Sequence, residues 1–212
     1  MWRLLGASYV RQALKDGRID RDPGLNARVD AIMRAVGAAA ASFAPNVLAI
    51  DWNVLLIEDF GLGATAFPGG TVLVDSRFVR SLALTDDELA FVLSHEVAHI
   101  LADHPLEKLS FMAETVGREK APNAGSALKT FFAENSHALL FRPTARLQER
   151  EADRIGAAIF SKSGYQAARA LDLFDKLDLA DGGKAPGTHD PASIRKRAVA
   201  AALDDAARTD RR

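Results

Sequence analysis

Two histidines and one glutamate are spaced within residues 94–100 so that all three could serve a single metal ion. An α-helix advances about 100° per residue, so His95 and His99 lie about 40° apart on successive turns and both imidazoles can reach one ion. Glu96 lies on the same side of the helix, close enough to touch a water on that ion. The spacing therefore predicts His95 and His99 as zinc ligands and Glu96 as the group that takes the proton of the bound water.

The surroundings of this motif allow two interpretations. Residues 89–102 are apolar on nearly every face, which is typical of a helix that is buried all round. Two histidines and a glutamate are costly inside such a helix unless they are paired. The alternative to a metal site is that the three side chains satisfy one another and nearby backbone groups.

A third ligand is expected downstream, because a catalytic zinc usually has three protein ligands and one open position for water. Within residues 146–156, Glu149 and Asp153 lie one turn apart on a single helical face. This spacing predicts Glu149 as the third ligand and Asp153 as the acceptor of a hydrogen bond from a ligating imidazole. The alternatives are a solvated charged face and ligation by Glu151, which faces about 160° away from Glu149.

His104 is not expected to join the site. It follows His95 by nine residues, about 180° around a continuous helix, and so points away from the metal. Its position also misses the third-histidine spacing of the metzincin motif. The pair His104-Pro105 is instead expected to end the helix.

The two motifs together resemble the M48 family of zinc metalloendopeptidases, the gluzincin group of the Ste24, HtpX and Oma1 proteases. The resemblance rests on His-Glu-Val-Ala-His at residues 95–99 and on Glu-Arg-Glu-Ala-Asp-Arg-Ile-Gly at residues 149–156. In that family the glutamate of the E-x-x-A-D-x-x-G helix is the third zinc ligand, which the resemblance assigns to Glu149. The similarity covers roughly residues 25–205.

Two further segments are similar to motifs of the same family. Residues 66–70, Ala-Phe-Pro-Gly-Gly, resemble its N-A-F-x-x-P-G-G segment without a clear counterpart of the asparagine. Residues 188–191 resemble its T-H-P loop, with Asp190 inserted and with Arg195 or Arg197 in place of a later arginine. The resemblance implies that His189 lies at the cleft mouth and hydrogen bonds the oxyanion that forms at the scissile carbonyl.

Composition narrows the kind of partner. The chain has 212 residues, of which 48% are hydrophobic and 26% charged, which suits one globular domain with a sizeable core. Its 27 basic and 28 acidic residues give a net charge of −1, which argues against nucleic acid or an anionic membrane as partner. Cysteine is absent, so a metal must be held by His, Asp or Glu.

The expected elements place the motifs beside a small sheet. Residues 25–43 have the apolar spacing of an amphipathic helix, and residues 47–57 and 71–74 are rich in strand formers. The glycine-rich residues 61–70 are interpreted as a hairpin connection; the alternative is a strand edge beside the zinc, to which an extended peptide could add. Thr85 and Glu88 form the pattern of a capping box, which marks the start of the histidine helix.

The remaining segments frame this core. Helical residues 106–116 and 127–140 flank a polar loop at 117–125, and residues 106–140 form either a lid over the cleft or part of the core. His137 is expected to be a structural histidine, and residues 192–208 a final amphipathic helix. The chain divides into an N-terminal arm, residues 1–23, and an M48-like zinc metallopeptidase domain, residues 24–208.

The sequence thus predicts a mainly helical α+β domain of the gluzincin type, with a small β-sheet beside the HExxH helix. One Zn²⁺ per chain is expected to support hydrolysis of internal peptide bonds in a protein or peptide substrate. The alternatives are a non-catalytic, chaperone-like metal-binding module of the same fold and a helical interaction protein without metal.

The cellular role and location follow only from the resemblance, which implies quality control of cell-envelope proteins. No segment approaches the roughly 18 apolar residues that a membrane span requires. The protein is expected to be cytoplasmic if the chain is complete as given; the alternative is the processed or truncated form of an exported protein, and the resemblance implies the cell envelope.

Overall fold

The computed structural model describes residues 10–11, 13–44, 47, 49–59, 61, 63–116, 135–182 and 188–209; for 113, 116 and 135–140 it describes the main chain. The strands are β1 (Asn53–Ile57), β2 (Ala64–Phe67) and β3 (Thr71–Asp75). The helices of this part of the chain are α1 (Pro23–Ala41), α2 (Ser76–Ser81), α3 (Asp86–Leu101), α4 (His104–Val116), α5 (Asn135–Ser161), α6 (Ala167–Ala170), α7 (Asp172–Asp181) and α8 (Ala192–Thr209). The predicted mainly helical α+β fold with a small sheet is confirmed.

The histidine helix α3 lies at the centre of the molecule. Its start is the predicted capping box, in which the Glu88 amide donates to Thr85 Oγ1 (3.3 Å) and the Thr85 amide donates to Glu88 Oε2 (2.6 Å). Lys176 Nζ also donates to Glu88 Oε2 (2.7 Å), so the start of α3 is tied to α7. The helix packs most extensively against α5 and α1, which explains its apolar surface.

The sheet differs from the expected simple hairpin. Its order is β1-β3-β2, with β1 parallel to β3 and β2 antiparallel to β3, so residues 61–70 contain a strand of their own. The predicted strand at 47–57 begins only at Asn53. Gly70 explains the tight turn between β2 and β3: its φ is +98°, and a Cβ there would lie 2.8 Å from the Asp51 carbonyl oxygen.

Residues 13–20 cover the sheet on the side away from α3. Ala13 is buried with Ile57 and Leu73 in a second apolar cluster. The Asp20 amide donates to the Leu56 carbonyl (3.0 Å), which covers the outer edge of β1. The boundary predicted between an arm at 1–23 and a domain at 24–208 stays a prediction, although α1 does begin at Pro23.

The segment after α3 is only partly described. Helix α4 covers 104–116 and α5 begins at Asn135, so the polar loop at 117–125 and most of the predicted helix at 127–140 lie outside the described residues. The lid proposed for 106–140 and the role of His137 therefore stay predictions. Among the described residues, no helix is both long enough and apolar enough to span a membrane.

Candidate metal centre and active-site cleft

The three predicted ligand atoms converge on one point. His95 Nε2 lies 3.0 Å from His99 Nε2 and 3.2 Å from Glu149 Oε2, and His99 Nε2 lies 3.6 Å from Glu149 Oε2. Ligands held about 2.0–2.1 Å from a tetrahedral ion are separated by about 3.3–3.4 Å. The triangle therefore has the size that a small divalent metal ion requires.

Close contact between α3 and α5 brings this triangle together. A Cβ added at Gly156 would lie 3.0 Å from His95 Cα and 3.1 Å from His95 N, so only glycine lets α5 approach the α3 backbone here. Gly156 follows Glu149 by two helical turns and lies on the same face of α5. Ala152, fully buried between them, keeps that face narrow.

Asp153 holds the other ring nitrogen of His95. Its Oδ1 lies 3.0 Å from His95 Nδ1, and Arg195 donates to both Asp153 oxygens, at 2.8 and 2.7 Å. Burial favours the neutral carboxyl, but Arg195 and His95 outweigh it and hold the pKa of Asp153 well below its usual range. Of the two arginines left open by the sequence, Arg195 is the one that reaches the site.

The electrostatics of the triangle favour a cation. Burial opposes charge on His95, but hydrogen bonds with Asp153 and Glu149 prevail and raise its pKa to about 10. Burial likewise opposes the Glu149 carboxylate, but contacts with His189, His95 and His99 lower its pKa well below the usual range. A proton and a metal ion would compete for this position, since ligation requires neutral imidazoles.

The prediction that His104 points away is wrong. Helix α3 ends at Leu101, Asp103 adopts a left-handed φ of 56°, and His104 begins α4. The reversal turns the His104 ring back, so its Nδ1 lies 3.0 Å from His99 Nδ1. The 180° estimate assumed a helix that continued through residue 104.

Glu151 also lies near the site, but not on the triangle. Its Oε2 is 3.3 Å from His104 Nε2, while its side chain stays 49% exposed. Glu151 was the alternative third ligand, and the structure places its carboxylate on His104 instead. Burial lowers the pKa of His104 despite this contact.

His189 approaches the triangle from the 188–191 loop. Its Nε2 lies 2.7 Å from Glu149 Oε2, and ligand atoms of His95, Glu149 and His189 lie within 4.8 Å of one another. His189 is therefore a further candidate ligand beside His99, whose Nε2 lies 3.0 Å from that of His95. Arg150 fixes this loop by donating to Asp190 through Nε at 2.7 Å and through Nη2 at 3.3 Å.

A cleft of about 620 Å³ opens over these residues. Glu96, only 8% exposed, lines it beside His95 and His99, and its role as general base stays a prediction. Strand β2 forms one wall. The rest of the lining is largely apolar and includes Val92, Leu109, Met112, Phe141, Leu173 and Leu177.

Comparisons with known proteins agree with this geometry. The model of peptidase family M48 matches residues 23–203. The chain is 31% identical to the mitochondrial metalloendopeptidase OMA1 of Schizosaccharomyces pombe over 74% of its length and 48% of the relative. It is 31% identical to that of Saccharomyces cerevisiae over 60% and 37%, and 26% identical to the β-barrel assembly-enhancing protease of Escherichia coli over 82% and 37%. The chain thus spans less than half the length of these relatives.

Proposed function

The chain belongs to peptidase family M48, and from that premise we propose that it is a zinc-dependent endopeptidase that hydrolyses internal peptide bonds of proteins. The observation that carries the proposal is the triangle of His95, His99 and Glu149 with Glu96 beside it in the cleft. One Zn²⁺ per chain suits this donor set, because zinc favours imidazole and carboxylate ligands in tetrahedral sites. A helical interaction protein without metal would not require three potential ligand atoms held this close together.

Glu96 and Asp153 have separate roles in the proposed hydrolysis. Bound zinc would supply a water of pKa about 7 and polarise the scissile carbonyl. Glu96 accepts the proton of the attacking water and returns it to the departing amine. Asp153 accepts a hydrogen bond from His95 Nδ1, which leaves the Nε2 lone pair free for the metal.

His189 has the proposed role of an oxyanion donor. Its Nε2 lies against Glu149 at the cleft, and Arg150 holds its loop through Asp190. From there the imidazole can donate a hydrogen bond to the carbonyl oxygen as negative charge develops. The Asp190 insertion does not remove His189 from the site, which supports this role.

Strand β2 has the proposed role of holding the substrate backbone. Among the described residues β2 pairs only with β3, so its other edge faces the cleft. An extended peptide could add there as a further strand, with main-chain hydrogen bonds giving affinity. The apolar lining would then accept apolar side chains, as unfolded or misfolded proteins expose. This fits the quality control of envelope proteins that the family resemblance implies.

The competing proposal is a chaperone-like module of the same fold that binds metal but does not cut. It would need the three ligands but not a buried carboxylate beside them, so Glu96 favours the enzyme.

Substituting the proposed base separates the two. Glu96→Gln should lower casein hydrolysis by about 10²- to 10⁴-fold, because a positioned general base contributes that much. Zinc content, measured by metal analysis, should stay at one ion per chain because Glu96 is not a ligand. The matched control is Glu114→Gln, which removes an exposed carboxylate from α4. Unchanged casein hydrolysis by Glu96→Gln would falsify the mechanism, and no hydrolysis by the zinc-loaded wild type would favour the non-catalytic module.

A further inference from the structure

The two α3 histidines are supported by different partners on their Nδ1 atoms. His95 Nδ1 faces the Asp153 carboxylate at 3.0 Å, whereas His99 Nδ1 faces a third imidazole, that of His104, also at 3.0 Å. His104 is only 4% exposed. An imidazole can donate or accept at either nitrogen, so this contact alone does not fix the position of the proton on His99.

Glu151 removes that ambiguity. A carboxylate only accepts hydrogen bonds, so His104 Nε2, 3.3 Å from Glu151 Oε2, must carry its proton. A neutral His104 then has a lone pair on Nδ1 and can only accept there. His99 Nδ1 must in turn donate, which leaves the lone pair of His99 on Nε2.

That nitrogen is the one that faces the triangle. His99 Nε2 lies 3.0 Å from His95 Nε2 and 3.6 Å from Glu149 Oε2, where a ligand needs a lone pair. The opposite tautomer would aim an N–H at the metal position. The order of donors and acceptors from Glu151 to His99 thus selects the tautomer that ligation requires.

We propose that His104 and Glu151 are positioning residues that hold His99 in its metal-binding tautomer and orientation. This inference rests on the proposed zinc site. It gives the site two unequal supports: a charged one, Asp153 with Arg195, for His95 and a neutral one, His104 with Glu151, for His99. In this scheme His104, which also lines the cleft, acts through His99, and Glu151 acts through His104.

The test is zinc affinity, measured on the full chain by competition with a chelator. His104→Leu replaces the imidazole with an apolar side chain of similar size that accepts no hydrogen bond. Zinc binding should weaken by about tenfold to a hundredfold. His104→Asn places an amide oxygen near the Nδ1 position and should keep most of the affinity. Thermal unfolding of the metal-free proteins shows whether each variant is folded.

Glu151→Gln tests the outer contact. A carboxamide can also donate, so His104 is free to turn its proton toward His99, and we expect weaker zinc binding. Adding Glu151→Gln to the His104→Asn variant should not change zinc affinity further, because the asparagine no longer relays the contact with Glu151. Glu114→Gln is again the matched control for loss of one carboxylate, with the affinity of the wild type expected.

The outcomes are distinguishable. Wild type that binds no zinc overturns the proposed function and this inference with it. Tight zinc binding by the wild type and equally tight binding by a folded His104→Leu overturns the inference alone. Equal losses in folded His104→Leu and His104→Asn overturn the acceptor role of His104, and an unchanged Glu151→Gln overturns the part assigned to Glu151.

Discussion

Asp153 makes two interactions in this site, one with His95 and one with Arg195. Its carboxylate lies 3.0 Å from His95 Nδ1 and pairs with the largely buried Arg195 guanidinium at 2.7 Å. A neutral residue could accept the hydrogen bond but could not balance the arginine. The charge of Asp153 is therefore needed for the stability of the fold as well as for the orientation of His95.

Asp153→Asn should weaken both zinc binding and the stability of the fold. Zinc affinity should fall by about tenfold to a hundredfold, because the support of a ligating imidazole is weakened. The free energy of unfolding of the metal-free protein should fall by about 3–5 kcal/mol, because the largely buried Arg195 loses its charged partner. Chelator competition and urea denaturation measure the two effects.

The matched control is Asp204→Asn, an exposed carboxylate on α8. It should change neither zinc affinity nor stability. If Asp153→Asn left zinc affinity at the level of this control, Asp153 would have no role in positioning His95.

Helical spacing indicated the inward faces of α3 and α5, and the family resemblance assigned Glu149 rather than Glu151 as the third ligand. His95 and His99 are one turn apart, as are Glu149 and Asp153, and the structure brings all four together. His104 was missed because its position depends on a chain reversal at Asp103, and left-handed backbone is uncommon even at aspartate, where it is enriched. The expected end of the helix at His104-Pro105 was the available clue, because a residue beyond the end of a helix need not follow its spacing.

At the scale of elements, spacing predicts which face of a helix is buried but not what it meets. The crossing of α3 and α5 depends on Gly156, where backbone meets backbone. A glycine inside a helix costs about 1 kcal/mol relative to alanine, so its presence at 156 indicates such a contact. The sequence motif contained that glycine, but only the structure shows that it lies against His95.

Strand β2 was the element that the sequence left undecided. Ala-Thr-Ala-Phe is short and contains few strong strand formers, and the glycines around it favour a loop interpretation. Pairing with β3 makes it a strand, through a tertiary contact that local sequence does not encode. The edge that β2 presents to the cleft is consequently visible only in the fold.

A proline at Ala66 tests this edge. The Asp75 amide donates to the Gly63 carbonyl, so residues 63, 65 and 67 point their backbone groups toward β3 and Ala66 points its N–H outward. Ala66→Pro removes that donor but no bond to β3, and proline is tolerated on edge strands. We expect KM for a peptide substrate to rise about two- to tenfold, as loss of one hydrogen bond predicts, with little change in Tm.

Ala66→Val is the control, since it adds a side chain but keeps the N–H. A KM that rises equally in both variants would point to a steric effect, and an unchanged KM for Ala66→Pro would place the substrate elsewhere.

At the scale of the whole molecule, residues 13–20 lie outside the matched family region and still pack on the sheet. Arg80 of α2 binds both Asp20 and Asp22 and so ties this segment to the start of α1. Asp20 is buried, which makes its carboxylate the more important of the two. The hydrogen bond from Arg80 lowers the pKa of Asp20 to about 2.

That shift predicts how stability depends on pH. The folded pKa lies below the unfolded value of 3.8, so the contribution of Asp20 is complete above about pH 4 and is lost as pH falls through 2. Asp20→Asn should therefore lower Tm at pH 7, while the gap to the wild type narrows steadily below pH 4. Asp30→Asn, an exposed carboxylate of α1, is the control. A gap between Asp20→Asn and the wild type that is the same at pH 7 and pH 3 would show that the charge of Asp20 does not hold residues 13–20 on the sheet.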